Sequence, residues 1–180
     1  NIYNVFDSII CLNEYCYNTF SKRYKKSTTL NKSFLIENMG SFKKNKIIYH
    51  QGSVHSEDNF KNSYNCISAF LKTNGHNYTL IVTGKIDKKS RYLCEKNSDR
   101  IIYMGVVKRR DIIDIYKKSE FLLAPSTQEG LGLALYEAKN YGCKIITTGF
   151  SPMKEVGDYL CDPRIISYDG KFLYPKLKVD

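Results

Sequence analysis

The chain has 180 residues, the size of one ordinary domain, and 42% of them are hydrophobic, which excludes intrinsic disorder. No stretch reaches the roughly 18 apolar residues of a membrane-spanning helix, and the start lacks the basic, apolar and small-residue order of a secretory signal. With 28 basic and 18 acidic residues the formal net charge is +10, which by itself would suit nucleic acid or an anionic membrane as a partner.

Residues 1–46 form an N-terminal segment that differs from the rest of the chain. It contains a helix-like stretch at 5–20, a basic stretch and a predicted short strand at 33–38. The segment is interpreted as the tail of a preceding domain with its linker. Because the chain starts at Asn1 rather than Met, we expect it to be part of a longer protein.

The basic residues argue against nucleic acid. Lys outnumbers Arg by 22 to 6, whereas base and phosphate recognition favours the bidentate Arg side chain. Half of the net charge lies in residues 1–46, where a peripheral contact with acidic lipid headgroups is possible. A solvated basic face is the favoured interpretation, and we expect no nucleic-acid partner.

From residue 47 onward, short apolar runs alternate with helical patterns. Apolar runs, most of them ended by glycine, predict strands at 47–51, 79–83, 100–104, 121–124, 144–148 and 164–168. Apolar residues at helical spacing predict helices at 60–73, 111–118 and 133–141, with a short helix at 152–160 that has Pro in its first turn.

This alternation predicts an α/β fold with a doubly wound, Rossmann-like parallel sheet of about six strands in the order 3-2-1-4-5-6. Residues 47–180 are assigned to this domain. In such a sheet, ligands bind beyond the carboxyl ends of the strands at the topological switch point, here between the first and fourth strands.

Two loops meet at the predicted switch point. Gly52 and Ser53 follow the first strand, with Lys61 near the start of the next helix. The loop after the fourth strand contains Gly130, Leu131 and Gly132, and a helix opens at Leu133. Glycines allow close approach of a ligand, and a helix N-terminus offers free N–H groups and a positive dipole end. The sequence therefore predicts a site for an anionic, nucleotide-like ligand.

Two carboxylates belong to the same region. Glu129 lies in the second loop and Glu137 lies two turns into the helix that follows. A carboxylate can accept two hydroxyl hydrogen bonds, which suits sugar and ribose hydroxyls rather than phosphate. Alone, Glu137 would be interpreted as a surface residue, but together with the glycines the pair favours a functional role.

Cysteine and histidine patterns give no metal or redox motif. No two of the six cysteines have C-x-x-C spacing, the three histidines do not cluster with them, and no Asp-x-Asp occurs. Disulfides are formally possible, but an α/β chain without a signal favours reduced thiols and a cytoplasmic location.

The stretch from Glu129 to Ala138, with Gly142 and the strand at 144–148, closely resembles the signature of retaining glycosyltransferases of family 4 (glycosyl transferases group 1) with the GT-B fold. The likeness covers about residues 33–169 and extends upstream to Gly52 and Lys61. It implies the C-terminal, donor-binding domain of an enzyme that transfers a sugar with retention from a nucleotide-diphosphate sugar.

The resemblance also implies roles for individual residues. Glu129 would contact hydroxyls of the transferred sugar, and Glu137 would hold the ribose. Lys61 and the amides from Gly130 to Leu133 would hold the diphosphate, which makes Glu129 and Lys61 the catalytic candidates. Gly105 and Val106 would face the base. We expect no metal or cofactor beyond the nucleotide-sugar co-substrate. We expect a glycan or lipid-linked acceptor held by an N-terminal domain, and a role in surface polysaccharide or glycolipid synthesis in bacteria, on the inner face of the membrane.

Two features depart from the family pattern. Ser53 stands where the family usually has Arg, and the stretch from Gly52 to Lys61 is longer than usual. These departures keep open a second interpretation, a non-catalytic module that binds a nucleotide or nucleotide sugar.

Overall fold

The computed structural model describes residues 7–22, 24–30, 35–37, 39–53, 59–73, 77–169 and 174–179. The α-helices are α1 (Glu14–Phe20), α2 (Ser63–Lys72), α3 (Lys88–Lys96), α4 (Arg109–Lys118) and α5 (Leu133–Asn140). The strands are β1 (Ile9–Cys11), β2 (Ser27–Thr29), β3 (Asn45–Gln51), β4 (Thr79–Thr83), β5 (Ile101–Tyr103), β6 (Ser119–Ala124), β7 (Lys144–Thr148), β8 (Tyr159–Cys161), β9 (Arg164–Asp169) and β10 (Tyr174–Lys178).

Six parallel strands form the central sheet, in the order β5-β4-β3-β6-β7-β8. This arrangement confirms the predicted doubly wound sheet and its switch point. The chain leaves β3 toward β4 on one side, and later returns from β5 to pair β6 with the other side of β3. The loops after β3 and β6 therefore leave the same edge of the sheet side by side.

Two hydrophobic cores cover opposite faces of this sheet. Leu80 and Val82 of β4 pack with α2 and α3, whereas the intervening Ile81 packs against the core built from α4 and α5. Because successive side chains of a strand point to opposite faces, the two cores lie on opposite sides. Both faces are covered, which is why the strands are apolar throughout.

Two predicted elements near the C-terminal end were wrong, and one helix in the middle of the chain was missed. The sixth strand of the sheet is β8, not the predicted strand at 164–168; those residues belong to β9, which pairs antiparallel with β10. The predicted helix at 152–160 is a single 3-10 turn at Met153–Glu155, followed directly by β8. Helix α3, which covers β4 and β5, was not predicted.

The N-terminal segment forms a small unit of its own. β1 and β2 pair as a two-stranded parallel sheet, with α1 between them in sequence. The predicted helix at 5–20 is therefore strand β1 followed by the shorter helix α1, and its first two residues lie outside the described part. Of the predicted strand at 33–38, residues 35–37 are not in a strand, and the others lie outside the described part. The boundary at residue 46 stays a prediction.

Two further observations complete the fold. All six cysteines are free thiols. Within the described ranges, no helix is long and apolar enough to cross a membrane.

Candidate functional site at the switch point

The segment after β3 and the loop after β6 meet in a direct ion pair. The Nζ of Lys61 lies 2.5 Å from Oε1 of Glu129, and the side chains are only 30% and 17% exposed. A second contact, between the Thr127 N–H and the Phe60 carbonyl at 2.8 Å, holds the backbones of the two segments together. The structure thus joins the two residues predicted to be catalytic, which are 68 positions apart.

Lys61 is held by the residue that follows it. Lys61 ends a 3-10 turn, and Asn62 has a left-handed backbone with φ of 57°. The Asn62 side chain donates to the carbonyl of Val179, just beyond β10, at 3.0 Å. The C-terminal hairpin of β9 and β10 therefore supports the position of Lys61 from below the loop.

The N-terminus of α5 forms the other wall. Gly132 starts the helix in a left-handed conformation, with φ of 75°, which a residue with Cβ would adopt only at a cost. Within the described part of the chain no side chain caps this end, so Glu129 is not a helix cap. The N–H groups from Gly130 to Leu133 have no acceptor among the residues that the structure describes. Free N–H groups next to a lysine make a site that suits an anion.

Glu137 has a partner that sequence reasoning missed. Both of its carboxylate oxygens accept from the guanidinium of Arg109, at 2.9 and 3.2 Å. Arg109 begins α4, just after β5 and at the same edge of the sheet. The hydrogen bond from Arg109 to this carboxylate raises the pKa of the guanidinium. Glu137 is 31% exposed and Arg109 is 66% exposed, so the pair is open to solvent and to a ligand.

The backbone N–H groups of Gly52 and Ser53 donate to the end of β4 and to the loop that follows it. The Gly52 N–H donates to the Thr83 carbonyl at 2.8 Å, and the Ser53 N–H donates to the Lys85 carbonyl at 3.2 Å. A Cβ on Gly52 would lie 2.8 Å from the Lys85 oxygen, too close for any other residue. Gly52 therefore lets two loops pack, and its N–H and that of Ser53 already have acceptors. Their predicted role in donor binding stays a prediction.

Gly105 and Val106, which were predicted to face the base, lie just after β5. Gly105 borders open space, and Val106 is 58% exposed. A cavity of about 40 Å³ separates Val106 from Gly52 and Gly84. The cavity has room for water but not for a nucleobase. A base at this place would therefore lie on the exposed surface of Val106.

This chain is similar to a known protein family and to several solved structures. The family model described as glycosyl transferases group 1 matches residues 31–158, which include both loops and both carboxylates. The chain belongs to this family. A comparison with curated protein sequences gives no match.

Several solved structures share the fold of this chain. TarM of S. aureus is similar with a TM-score of 0.68 and 14% identity, over 88% of this chain and 34% of its own. HepE of Anabaena, in complex with UDP and glucose, has a TM-score of 0.67 and 15% identity, over 90% of this chain and 51% of its own. The pneumococcal O-GlcNAc transferase GtfA, in complex with UDP and GlcNAc, has a TM-score of 0.63 and 18% identity. It is matched over 89% of this chain and 35% of its own.

These likenesses show the fold, the GT-B arrangement with its six-stranded parallel sheet. This chain spans between 34% and 51% of the length of these three structures.

A buried histidine supports the candidate site, and sequence reasoning missed it as well. His50, at the end of β3, hydrogen-bonds the Leu123 carbonyl of β6 at 2.8 Å and the Ser63 hydroxyl of α2 at 2.9 Å. Complete burial, opposed by the hydrogen bond to the Leu123 carbonyl and assisted by the nearby charge of Lys61, lowers the pKa of its imidazole to about 4. The ring is therefore neutral at pH 7 and ties together the three elements that carry the Lys61 loop.

The N-terminal segment also reaches the site. The side-chain amide of Asn13 donates to the Gly130 carbonyl at 3.0 Å.

The predicted metal independence stays a prediction. Within the described ranges, no three His, Cys, Asp or Glu side chains cluster closely enough to bind a metal ion.

Proposed function

We propose that the chain is the donor-binding part of a retaining glycosyltransferase of family 4, which transfers a sugar from a nucleotide-diphosphate sugar. The observation that carries this proposal is the Lys61–Glu129 pair beside the free N–H groups at the start of α5. One side of the cleft offers positive charge for a diphosphate, and the adjacent carboxylate offers acceptors for sugar hydroxyls.

The residues divide the donor between them. The N–H groups from Gly130 to Leu133 and the ammonium of Lys61 hold the diphosphate. An ammonium has three donors, so Lys61 can keep Glu129 and bind a phosphate oxygen together. As the bond to the sugar breaks, negative charge grows on the leaving diphosphate, and these preorganised donors stabilise it without a metal. Glu129 binds hydroxyls of the sugar, and Glu137, oriented by Arg109, accepts from the ribose.

Several finer statements belong to the same proposal. HepE and GtfA, whose complexes contain UDP with glucose or GlcNAc, support a UDP-hexose as the donor. The acceptor, a glycan or lipid-linked sugar of a bacterial surface polysaccharide or glycolipid, would bind an N-terminal domain that precedes residue 46. We place the enzyme in the cytoplasm, where the basic N-terminal segment could contact the membrane surface.

A second candidate, a non-catalytic nucleotide-binding module, is favoured by one observation. The Gly52 N–H donates to Thr83 at the end of β4 and the Ser53 N–H to Lys85 in the loop after it, and Ser53 stands where an Arg would bind the diphosphate. Such a module would bind the nucleotide and transfer nothing.

The test is calorimetric titration of the chain with UDP and GDP in the presence of a chelator. We expect a Kd of about 0.1–1 mM for one of them, a binding free energy of about −4 to −5.5 kcal/mol. Lys61→Gln should weaken binding, whereas Lys72→Gln, an exposed lysine at the end of α2, should not. The absence of heat with any nucleotide at millimolar concentration would reject the donor site.

Transfer by the longer protein separates the two candidates. NMR of the product should show that the anomeric configuration of the donor is retained. Nucleotide binding without release of sugar would favour the second candidate.

A further inference from the structure

Asn13 makes two different hydrogen bonds from a buried position. Its Oδ1 accepts from the Cys16 N–H at 2.9 Å, which caps the start of α1. Its Nδ2 donates to the Gly130 carbonyl at 3.0 Å, across 117 positions of sequence. The residue is only 3% exposed. The same side chain thus caps the start of α1 and donates to Gly130, the residue next to Glu129.

Capping alone does not explain an amide at this position. Ser, Thr and Asp cap helices about as well, because a cap needs only an acceptor oxygen. Of these side chains, the amide alone has an acceptor to cap the helix and a separate N–H₂ group to donate to a carbonyl. The donor side of Asn13 is directed at the loop.

The loop that Asn13 holds has little else to fix that end. Thr127 is anchored to Phe60 at the start of the loop. Gly130, beyond Glu129, borders open space on its Cβ side, and Gly132 has a positive φ. Glycines leave a loop with many accessible conformations. Glu129 therefore lies between two anchors, the Thr127 N–H on one side and the Asn13 amide on the other.

The platform that carries Asn13 is itself attached to the domain. The Glu14 N–H donates to Oε1 of Glu155 at 3.2 Å, and the Tyr15 N–H donates to the Ser151 hydroxyl at 3.3 Å. Lys154 pairs with the Glu14 carboxylate at 3.2 Å. The start of α1 is thus fixed to the connection between β7 and β8.

We propose that Asn13 is a positioning residue for donor binding, and this inference rests on the proposed function. Its amide fixes the Gly130 carbonyl so that the N–H groups from Gly130 to Leu133 point together into the cleft, with Glu129 beside them. The N-terminal segment thereby becomes part of the donor site. By linkage, donor binding and docking of α1 strengthen each other to the same extent.

The experiment compares Asn13→Ser with Asn18→Ser, a substitution at an exposed position of the same helix. Serine keeps the cap and adds no charge, but it lacks the amide that reaches Gly130. We expect Asn13→Ser to weaken UDP binding about three- to tenfold, the effect of one hydrogen bond, with a melting temperature close to that of the unchanged chain. Asn18→Ser should change neither quantity.

A second readout needs no nucleotide. Amide hydrogen exchange at Thr127 and Leu135, whose N–H groups are bonded within and beside the loop, should be faster in Asn13→Ser and unchanged in Asn18→Ser. If the unchanged chain binds no nucleotide, the proposed function fails, and exchange alone decides the role of Asn13.

Equal UDP affinity and equal exchange in Asn13→Ser and the unchanged chain would overturn the proposal and leave Asn13 as a helix cap. Should Asn13→Ser unfold, Asn13→Asp also keeps the cap and also lacks the donor. It should reproduce the faster exchange, and normal exchange in that variant would overturn the proposal too.

Discussion

Glu129 and Glu137 are close in sequence but have different surroundings. Glu129 is paired with Lys61 and mostly buried, next to the N–H groups of α5. Glu137 lies on the side of α5 that faces Arg109 and is more exposed. In the proposed site, the first carboxylate is close to the bond that breaks, and the second is near the ribose. Substitution of each should therefore affect a different kinetic constant.

In the proposed full-length glycosyltransferase, Glu129→Gln should lower kcat by about 10²-fold, or ~2.7 kcal/mol, with a small change in KM. The reason is that a carboxylate beside the sugar acts where positive charge develops on the ring. Because α5 has no side-chain cap to lose, the melting temperature should change little. Steady-state kinetics with a melting curve are the measurement, and a kcat within a few-fold of the original would refute the role.

Glu137→Gln should instead raise KM for the donor about tenfold, since a hydrogen bond to a charged group is worth about 1.5–3 kcal/mol and is lost equally in ground and transition states. The kcat should stay within a few-fold. Glu95→Gln, at an exposed position of α3, is the matched control and should alter neither constant. A fall in kcat with an unchanged KM would contradict ribose binding.

Part of the site was predictable because its residues follow strand ends. Lys61, Glu129 and the glycines of the second loop could be placed at one edge from the strand pattern and the switch point. Arg109 and Asn13 could not. Their partners are 28 and 117 positions away, and a single sequence carries no signal that joins them.

At the scale of elements, the residues that were expected to form an edge strand of the central sheet belong instead to the C-terminal hairpin of β9 and β10. Leu177 of β10 is 4% exposed and belongs to the core on the α4 and α5 side, whereas Ile166 of β9 is 58% exposed. Val179, just after β10, accepts hydrogen bonds from the side chains of Asn62 and Asn65. The hairpin therefore packs against the body of the domain through one strand.

Leu177→Ala should lower the free energy of unfolding by about 2–4 kcal/mol, because it leaves a cavity in a closed core. Ile166→Ala, in the same hairpin, should change it by less than about 0.5 kcal/mol. Urea denaturation followed by circular dichroism gives both values. Equal, small effects would mean that the hairpin does not contribute to the core.

The elements that were mispredicted share a physical cause, which is that apolar periodicity was the main guide. Helix α3 is mostly polar, and its signal was instead Asp87, whose side chain caps the Ser90 N–H. The helix at 152–160 was predicted with Pro in its first turn, but Gly157 packs tightly against Thr147 and Leu160. Pairing with β7 then makes residues 159–161 a strand, which local pattern alone does not reveal.

At the scale of the whole molecule, His50 couples stability to pH. Its pKa is lowered from 6.5 to about 4 by burial, so the folded protein keeps it neutral where the unfolded chain would bind a proton. The stability associated with the neutral ring is complete above pH 6.5. It is lost as pH falls from 6.5 toward 4, because only the unfolded state gains the proton in that window.

We therefore expect the unfolding free energy to fall between pH 6.5 and 4 by about 3 kcal/mol more in the unchanged chain than in His50→Gln, which lacks the titrating ring. Urea denaturation at several pH values measures both curves. Parallel curves across this window would show that His50 is not a neutral buried group.

The pairing of β3 with β6 also determines when the proposed donor site can form. Its two strands meet through contacts such as that from His50 to Leu123, which lie 73 positions apart. Pairing over such a distance costs loop-closure entropy, and non-local contacts of this kind slow folding. When α4 is being synthesised, the nascent chain already contains Gly52 and Lys61. However, β6 and α5, which complete the proposed donor site, have not yet been synthesised. The proposed donor site can therefore form only after α5 has been synthesised.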